Sequence, residues 1–411
     1  MVLRIAAIVF IFLCTSAAWL ILGGTIVHRT EAADERLKNR VASTWGGTHA
    51  QQPAAASFDQ IVKRPEEKVV DGKKVTTVNE HTLTSPLKLT RTRARTVISL
   101  EPRQKGLLWY NTYAVEFMGE YTFTNSTSEA RQVKFTLPLP AKQATYDALS
   151  ISVGGKPLEP AYSGSSATVN ADVPAGQAAV FQASYRSRGL DRWEYHFGDD
   201  VSGVRDFELA VLTDFDGFDF PDGTLSPNQK TQTADGWELK WEYNHLVSGV
   251  PIALVMPQKL QPGPLAGQIS FFAPVSLFFF FFLMFIITTL RGIELHPMNY
   301  FFLAGAFFAF HLLLAYLVDH ISIHVAFVIC SAVSIFLVVS YLRLVVGPRF
   351  AALEAGVSQF IYLVLFSYAF FFEGFTGLAI TIGAILTLFV VMQMTGRIRW
   401  EEQFNRKPVR A

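Results

Sequence analysis

Residues 270–394 limit what this chain can fold into more than any other stretch. Five apolar segments succeed one another there, parted by short polar punctuation. The first, Ser270 to Leu290, is uncharged, and its length suffices to cross a hydrocarbon core of about 30 Å as a helix. The others run from Tyr300 to Val318, Ile321 to Leu342, Val357 to Phe372 and Leu378 to Met394. Such a block belongs in a lipid bilayer, and the rest of the chain must be attached to it. Composition agrees, because half of the residues are hydrophobic and only 17% are charged, which is apolar for a water-soluble protein.

A sixth apolar run opens the chain from Ile5 to Val27, after Arg4. Small residues at Ala17-Ala18 fit a cleaved signal peptide. Trp19-Leu20-Ile21-Leu22 instead extends the run to spanning length, which fits an uncleaved anchor. Either way the following domain is delivered to the outer face. Arg29 to Thr44 is charged and helix-friendly, with Leu37 and Val41 on one face, and reads as a stalk. Trp45-Gly46-Gly47 ends it, glycine supplying a left-handed cap.

From Phe58 to Pro262 the period changes to two. Asp71-Gly72 between alternating runs signals a hairpin. Tyr113, Val115, Phe117, Gly119, Tyr121 and Phe123 alternate along one long strand, with Glu116, Glu120 and Thr122 opposite. Further strands are expected at Val133–Leu137, Ala148–Val153, Ala179–Tyr185, Phe207–Leu212, Trp237–Tyr243 and Pro251–Met256, with glycine, proline and asparagine turns between. The prolines of Leu260-Gln-Pro-Gly-Pro264 read as a rigid linker that breaks secondary structure before the membrane. The only two cysteines, Cys14 and Cys330, lie in apolar segments, so the strand-rich region does without disulfides.

Arginine and lysine in the short loops set the orientation. With six spans and both ends cytoplasmic, the cytoplasmic segments hold Arg4, Arg291, Arg343, Arg349, Arg397, Arg399, Arg406, Lys407 and Arg410. The outer turns at Asp319-His320 and Glu373-Gly374 hold neither. The sequence therefore predicts a multi-span α-helical membrane protein with a large all-β, sandwich-like extracytoplasmic domain inserted between the first and second transmembrane helices. Its parts are an anchor (1–27), a juxtamembrane helix and linker (28–57), the β-rich domain (58–268), a five-helix bundle (270–394) and a basic tail (395–411).

Chemistry-bearing residues are sparse. His311 falls in the middle of the third span, where an ionisable group suggests a proton relay or a substrate contact; a neutral, hydrogen-bonded imidazole is the plainer explanation. Asp319, His320, His324 and Glu373 gather at the outer turns. His320 and His324 have the spacing of two metal ligands, but lack a third fixed ligand, and a solvated helix-end cluster contacting the β domain explains them as well. Glu294 and His296 sit beside Arg291 on a cytoplasmic turn and are expected to latch the entry to the helix opened by Pro297. Asp214-Phe-Asp216-Gly-Phe-Asp219-Phe-Pro-Asp222 resembles a calcium loop but fails the EF-hand pattern, and its alternating phenylalanines suggest a loop pinned to a core. Arg91, Arg93 and Arg95 form either a basic stripe for an anionic envelope component or a solvated strand face. No phosphate-binding glycine loop, His-Glu-x-x-His, Gly-x-Ser-x-Gly or Cys-x-x-Cys occurs, so no cofactor, resident metal or enzymatic activity is expected. A net charge of +1 gives no support to nucleic-acid binding.

Glu294-Leu295-His296-Pro297-Met298-Asn299-Tyr300, Asp319-His320 and Arg397-Ile-Arg-Trp400 resemble the CreD-like inner-membrane proteins of bacteria, also called the colicin-tolerance family. Trp45-Gly46-Gly47 with Gln51 and Pro53, Gly106-Leu-Leu-Trp-Tyr110 with Gly119-Glu-Tyr121, and Gly236-Trp-Glu-Leu-Lys-Trp241 are similar to further motifs of that family. The chain departs from it at Asp319-His320-Ile-Ser322-Ile323 and at Glu373-Gly374. The resemblance implies a non-enzymatic inner-membrane protein of envelope integrity or stress response, with an envelope protein or glycan as partner of the β domain. The alternative is a small transporter or channel using His311 and the Asp319/His320/Glu373 cluster.

Overall fold

The computed structural model describes residues 2–70, 73–105, 108–142, 144–198, 202–372 and 374–396. They form two compact units. One is helical and comprises Met1–Glu35, Gly106–Leu108 and Leu260–Ala411; the other is strand-rich and comprises Arg36–Lys105 and Trp109–Lys259.

Six helices among the described residues are long and apolar enough to cross a membrane: α1 (Val2–Trp45), α2 (Pro262–Arg291), α3 (Pro297–Leu317), α4 (Ile323–Val345), α5 (Phe350–Phe371) and α6 (Thr376–Thr395). The apolar run and the charged stalk form one unbroken helix, α1. Pro262 and Pro264 do not break structure as the sequence suggests. They occupy the first turn of α2, where a helix has no use for their missing N–H groups. α2 therefore begins before Ser270. Similarly, α5 starts at Phe350 rather than Val357, and it contains two π-helical stretches, Phe350–Gly356 and Phe360–Leu365.

Within the helical unit α1 packs closely on α2. A side chain at Gly263 would come within 2.6 Å of Thr30 Oγ1, and one at Gly267 within 3.1 Å of Val27 Cγ2. Small residues let helix backbones approach where burial of apolar surface gives no driving force against lipid. Trp19 is fully buried, edge-on to Phe308 and His311. The core runs through Leu277, Phe280, Phe307, Phe310 and Leu363, while Phe336, Leu344 and Phe389 face outward as apolar surface.

The strand-rich unit is layered. Its largest sheet has eight strands in the order Lys156–Leu158, Asp147–Val153, Ala178–Leu190, Thr112–Thr124, Lys88–Leu100, Ser202–Thr213, Trp237–Ser248 and Gln229–Gln232. All neighbours are antiparallel except Lys88–Leu100 with Ser202–Thr213. A five-stranded sheet follows the order Ala161–Ser163, Ser166–Val173, Arg131–Pro138, Ala55–Val70 and Lys73–Pro86. The two sheets share a core, in which Phe135 stacks on Phe181 at 5.6 Å. The last two strands form the hairpin expected around Asp71-Gly72, whose turn lies outside the described residues. A second core gathers Phe117, Tyr185, Trp193, Leu209 and Trp241, and includes the three-stranded sheet His49–Gln51, Arg192–Tyr195 and Ile252–Val255. Alternation along Thr112–Thr124 is as the sequence predicts. Tyr113, Val115, Phe117, Tyr121 and Phe123 are all at most 1% exposed, and Glu116 and Met118 point outward.

Candidate functional site

The outward face of the eight-stranded sheet dips into a groove of about 550 Å³. Strand register aligns two rows of side chains across it. One row is Ser152, Gln182, Glu120, Arg93, Glu208 and Glu242. It is knitted together: Ser152 Oγ donates to Gln182 Oε1 at 3.2 Å, Gln182 Nε2 to Glu120 Oε2 at 2.9 Å, and Arg93 Nε pairs with Glu208 Oε2 at 2.9 Å. The neighbouring row is Ser150, Ser184, Met118, Arg95, Ala210 and Lys240. The short side chains of Ser150, Ser184 and Ala210 leave the floor open between them. Lys240 Nζ is 3.5 Å from Glu238, a loose contact.

The three arginines of the stripe are thus not equivalent. Arg91 Nε and Arg93 Nη2 both reach the Asp206 carboxylate at 2.5 Å, and Arg93 Nη1 donates to the Asp206 carbonyl at 2.8 Å. Asp206 holds a left-handed backbone (φ 44°) between strand residues Arg205 and Phe207. The hydrogen bonds from Arg91 and Arg93 keep its carboxyl below the usual carboxylate range. Arg95 is exposed and makes no ion pair among the described residues. A guanidinium left over between satisfied neighbours can accept a carboxylate or phosphate in bidentate fashion. The groove lining has no aromatic ring on which a sugar could stack.

Behind this sheet lies a buried polar cluster that the sequence does not single out. His49 is fully buried; its Nε2 lies 3.0 Å from Ser187 Oγ and its Nδ1 3.3 Å from the Gly47 carbonyl. Tyr113 donates to the Arg192 carbonyl at 2.8 Å, and Tyr185 to Gln51 Oε1 at 2.6 Å. Burial drives the imidazole pKa down to about 4, and it raises both tyrosines well above their ordinary value. The signal for this cluster was the Trp45-Gly46-Gly47 motif with Gln51. That segment carries the chain into the unit and delivers His49 and Gln51 beside the strand Arg192–Tyr195.

The polar positions expected in the helical unit are dispersed. His311 is buried, its Nδ1 lies 2.9 Å from the Phe307 carbonyl, and its Nε2 has no partner among the described residues. Asp319 pairs with Arg29 of α1 at 3.3 Å. His320 sits exposed in the following turn, and the ring of His324 packs on Phe371 at 5.2 Å. Glu373 lies outside the described residues. Among the described residues no three His, Cys, Asp or Glu side chains converge as metal ligands. His296 caps α3, its Nδ1 accepting from the Met298 N–H at 3.2 Å with Pro297 next in the chain, while Glu294 stays exposed. Arg291 pairs instead with Glu354, at 2.5 Å, on the first π-helical stretch of α5. A polar seam missed in the sequence joins α3, α4 and α5: Gln359 Nε2 donates to Ser334 Oγ at 2.7 Å, and Ser334 Oγ to the Ala306 carbonyl at 2.6 Å. In the aspartate-rich loop three of the four acids are taken up by hydrogen bonds. Asp214 accepts from the Leu100 N–H, Asp216 from Trp237 Nε1 and Asp219 from the Phe220 N–H, while Phe215, Phe218 and Phe220 join the core.

Residues 219–401, from this loop to beyond α6, match the family described as inner membrane protein CreD. Over that stretch the chain matches the CreD family model. No curated protein matches the sequence. Among solved structures, a proposed nutrient binding protein from Legionella pneumophila is 11% identical, over 48% of this chain and 73% of its own, with a TM-score of 0.32. Two structures of the M1 zinc metallopeptidase of Deinococcus radiodurans are 10% and 8% identical, each over 41% of this chain and 42% of the other, with a TM-score of 0.27. Likenesses this distant carry no argument about activity. The matched family is one of inner-membrane proteins, and the six long apolar helices among the described residues are suited to that setting.

Proposed function

We propose that this CreD-family protein is a non-enzymatic envelope component whose sandwich-like strand unit, inserted between the first and second membrane crossings, faces the periplasm and binds an envelope partner. Both termini are then cytoplasmic, as the arginine-poor turn at Asp319-His320 and the basic segments at Arg291 and Arg343 favour. The observation that carries the reading is the unpaired Arg95 on the open floor of the sheet groove. It suits an acidic, hydrogen-bonding protein surface better than a neutral glycan, which would want an aromatic platform. Stabilisation of the envelope under stress follows if that partner is an envelope protein.

A photoreactive residue at Ala210, in the groove, tests this in intact cells. A discrete adduct is expected, and Arg95→Glu should lower its yield by about tenfold, the scale of one lost charge-assisted contact. The same residue at Tyr162, an exposed position on the other sheet, serves as the control. Equal adducts at both positions, or no effect of Arg95→Glu, would sink the groove as the binding face.

A transport reading rests on the unpartnered Nε2 of His311. Among the described residues it lacks the several buried charges and paired half-repeats that transporters show. His311→Leu is expected to leave protein abundance and envelope-stress tolerance unchanged. Lost tolerance at unchanged abundance would favour transport.

A further inference from the structure

α1 and α2 are close-packed at Gly263 and Gly267, yet at the other end of the same pair they part. There, Ile5, Ile8, Val9, Phe12 and Leu13 of α1 face Phe278, Phe281, Phe282 and Phe285 of α2 across a groove of about 340 Å³. Nearly all of its accessible surface is apolar. Its α1 wall spans about 12 Å at the helical rise per residue, an elongated slot rather than a dimple.

A guanidinium sits beside this slot. Arg4 is the residue before Ile5, and it lies next to Tyr300. The Tyr300 ring packs edge-on against Phe281, one of the groove walls, at 5.2 Å. Arg4 Nε and Nη2 are shielded from solvent and pair with no carboxylate among the described residues, while the Tyr300 hydroxyl faces Arg4 and Thr288. Among the described residues no acid pairs with Arg4: Glu354 is held by Arg291, and Glu294 is exposed on its turn. Shielded donors without partners are costly, so the site is incomplete among the described residues.

We propose that an anionic phospholipid completes it, with one acyl chain in the Phe-lined groove between α1 and α2 and its phosphate on the Arg4 guanidinium. The two halves of the site have different jobs. The groove gains little by itself, because hydrocarbon is as apolar as the side chains that line it. It fixes position. Selectivity comes from the headgroup: a net negative lipid satisfies the orphan guanidinium, whereas a zwitterionic one brings a compensating ammonium. One arginine near anionic lipid contributes about 1 kcal/mol, which is about fivefold in occupancy, and shielding from water raises that figure.

The full-length protein, reconstituted in nanodiscs of equal phosphatidylglycerol and phosphatidylethanolamine with identical acyl chains, provides the test. Native mass spectrometry reads the lipid that stays bound on release. The first adduct should favour phosphatidylglycerol by about fivefold or more. Arg4→Gln should bring the two lipids to parity, and Arg4→Lys should restore most of the preference. Leu13→Trp fills the groove with Arg4 intact and should remove the first adduct for both lipids. If Arg4→Gln cannot be recovered folded, Arg4→Lys and Leu13→Trp decide the matter. A wild-type preference indistinguishable from the bulk composition would overturn the proposal, as would a preference unchanged in both the charge and the groove variants.

Discussion

Gly46→Ala is expected to destabilise the strand-rich unit by about 3 kcal/mol or more, the joint scale of a strained left-handed residue and an overpacked contact. Gly46 ends α1 with φ 98°, a conformation that side chains other than hydrogen resist. A Cβ there would stand 2.1 Å from the Arg188 carbonyl oxygen, a backbone atom on a central strand that cannot swing aside. The preceding Trp45 lies under two guanidinium groups, Arg103 at 3.6 Å and Arg188 at 5.1 Å, so the glycine cannot relax without undoing both stacks. For a unit of this size the melting temperature should fall by about 10 °C in calorimetry of the full chain. Gly47→Ala is the control. No heavy atom lies within 4 Å of its added methyl, and it should shift stability by no more than about 0.5 kcal/mol. Equal behaviour of the two variants would remove the close-approach argument.

Acid should unfold the same unit through His49. The buried imidazole has its pKa lowered to about 4, against about 6.5 in an unfolded chain, because burial disfavours the charged ring. Between those values the unfolded state binds a proton that the folded state refuses. Stability is therefore fully present above pH 6.5 and is lost as the pH falls towards 4, by about 3 kcal/mol in total. Denaturant unfolding at pH 7, 5.5 and 4 reads this directly. His49→Gln should start less stable, since Ser187 Oγ loses its ring partner, but its dependence on pH over that window should be flatter by about one proton. A slope unchanged by the substitution would assign the acid lability elsewhere. Asp206 adds to acid loss only at lower pH, its carboxyl being held below the usual range by Arg91 and Arg93.

The groove residues show where sequence reading stops. The alternation of Arg91, Arg93 and Arg95 along one strand face was plain, because a strand has a period of two. Which of the three remains open was not. Asp206 and Glu208, which occupy Arg91 and Arg93, arrive on a strand more than a hundred residues later, through a parallel pairing that no local pattern announces. The buried His49 was equally hidden. It stands in a short polar stretch after a helix, and only the three-stranded sheet that receives it makes it a core residue. The prolines near 262 misled for the opposite reason. Proline both breaks a helix interior and suits a helix start, and tertiary context chose the second role.

Sequence by itself determined the two kinds of unit in this protein and the apolar length of its helices. Segment hydropathy and the alternation of side chains are local properties that need no partner to be read. The tertiary structure alone decided which charges meet no counter-charge among the described residues, such as Arg95 on the sheet and Arg4 beside the groove between α1 and α2. A charge is neutralised or left open by whatever the fold brings within a few ångströms of it, and those neighbours are distant in the chain.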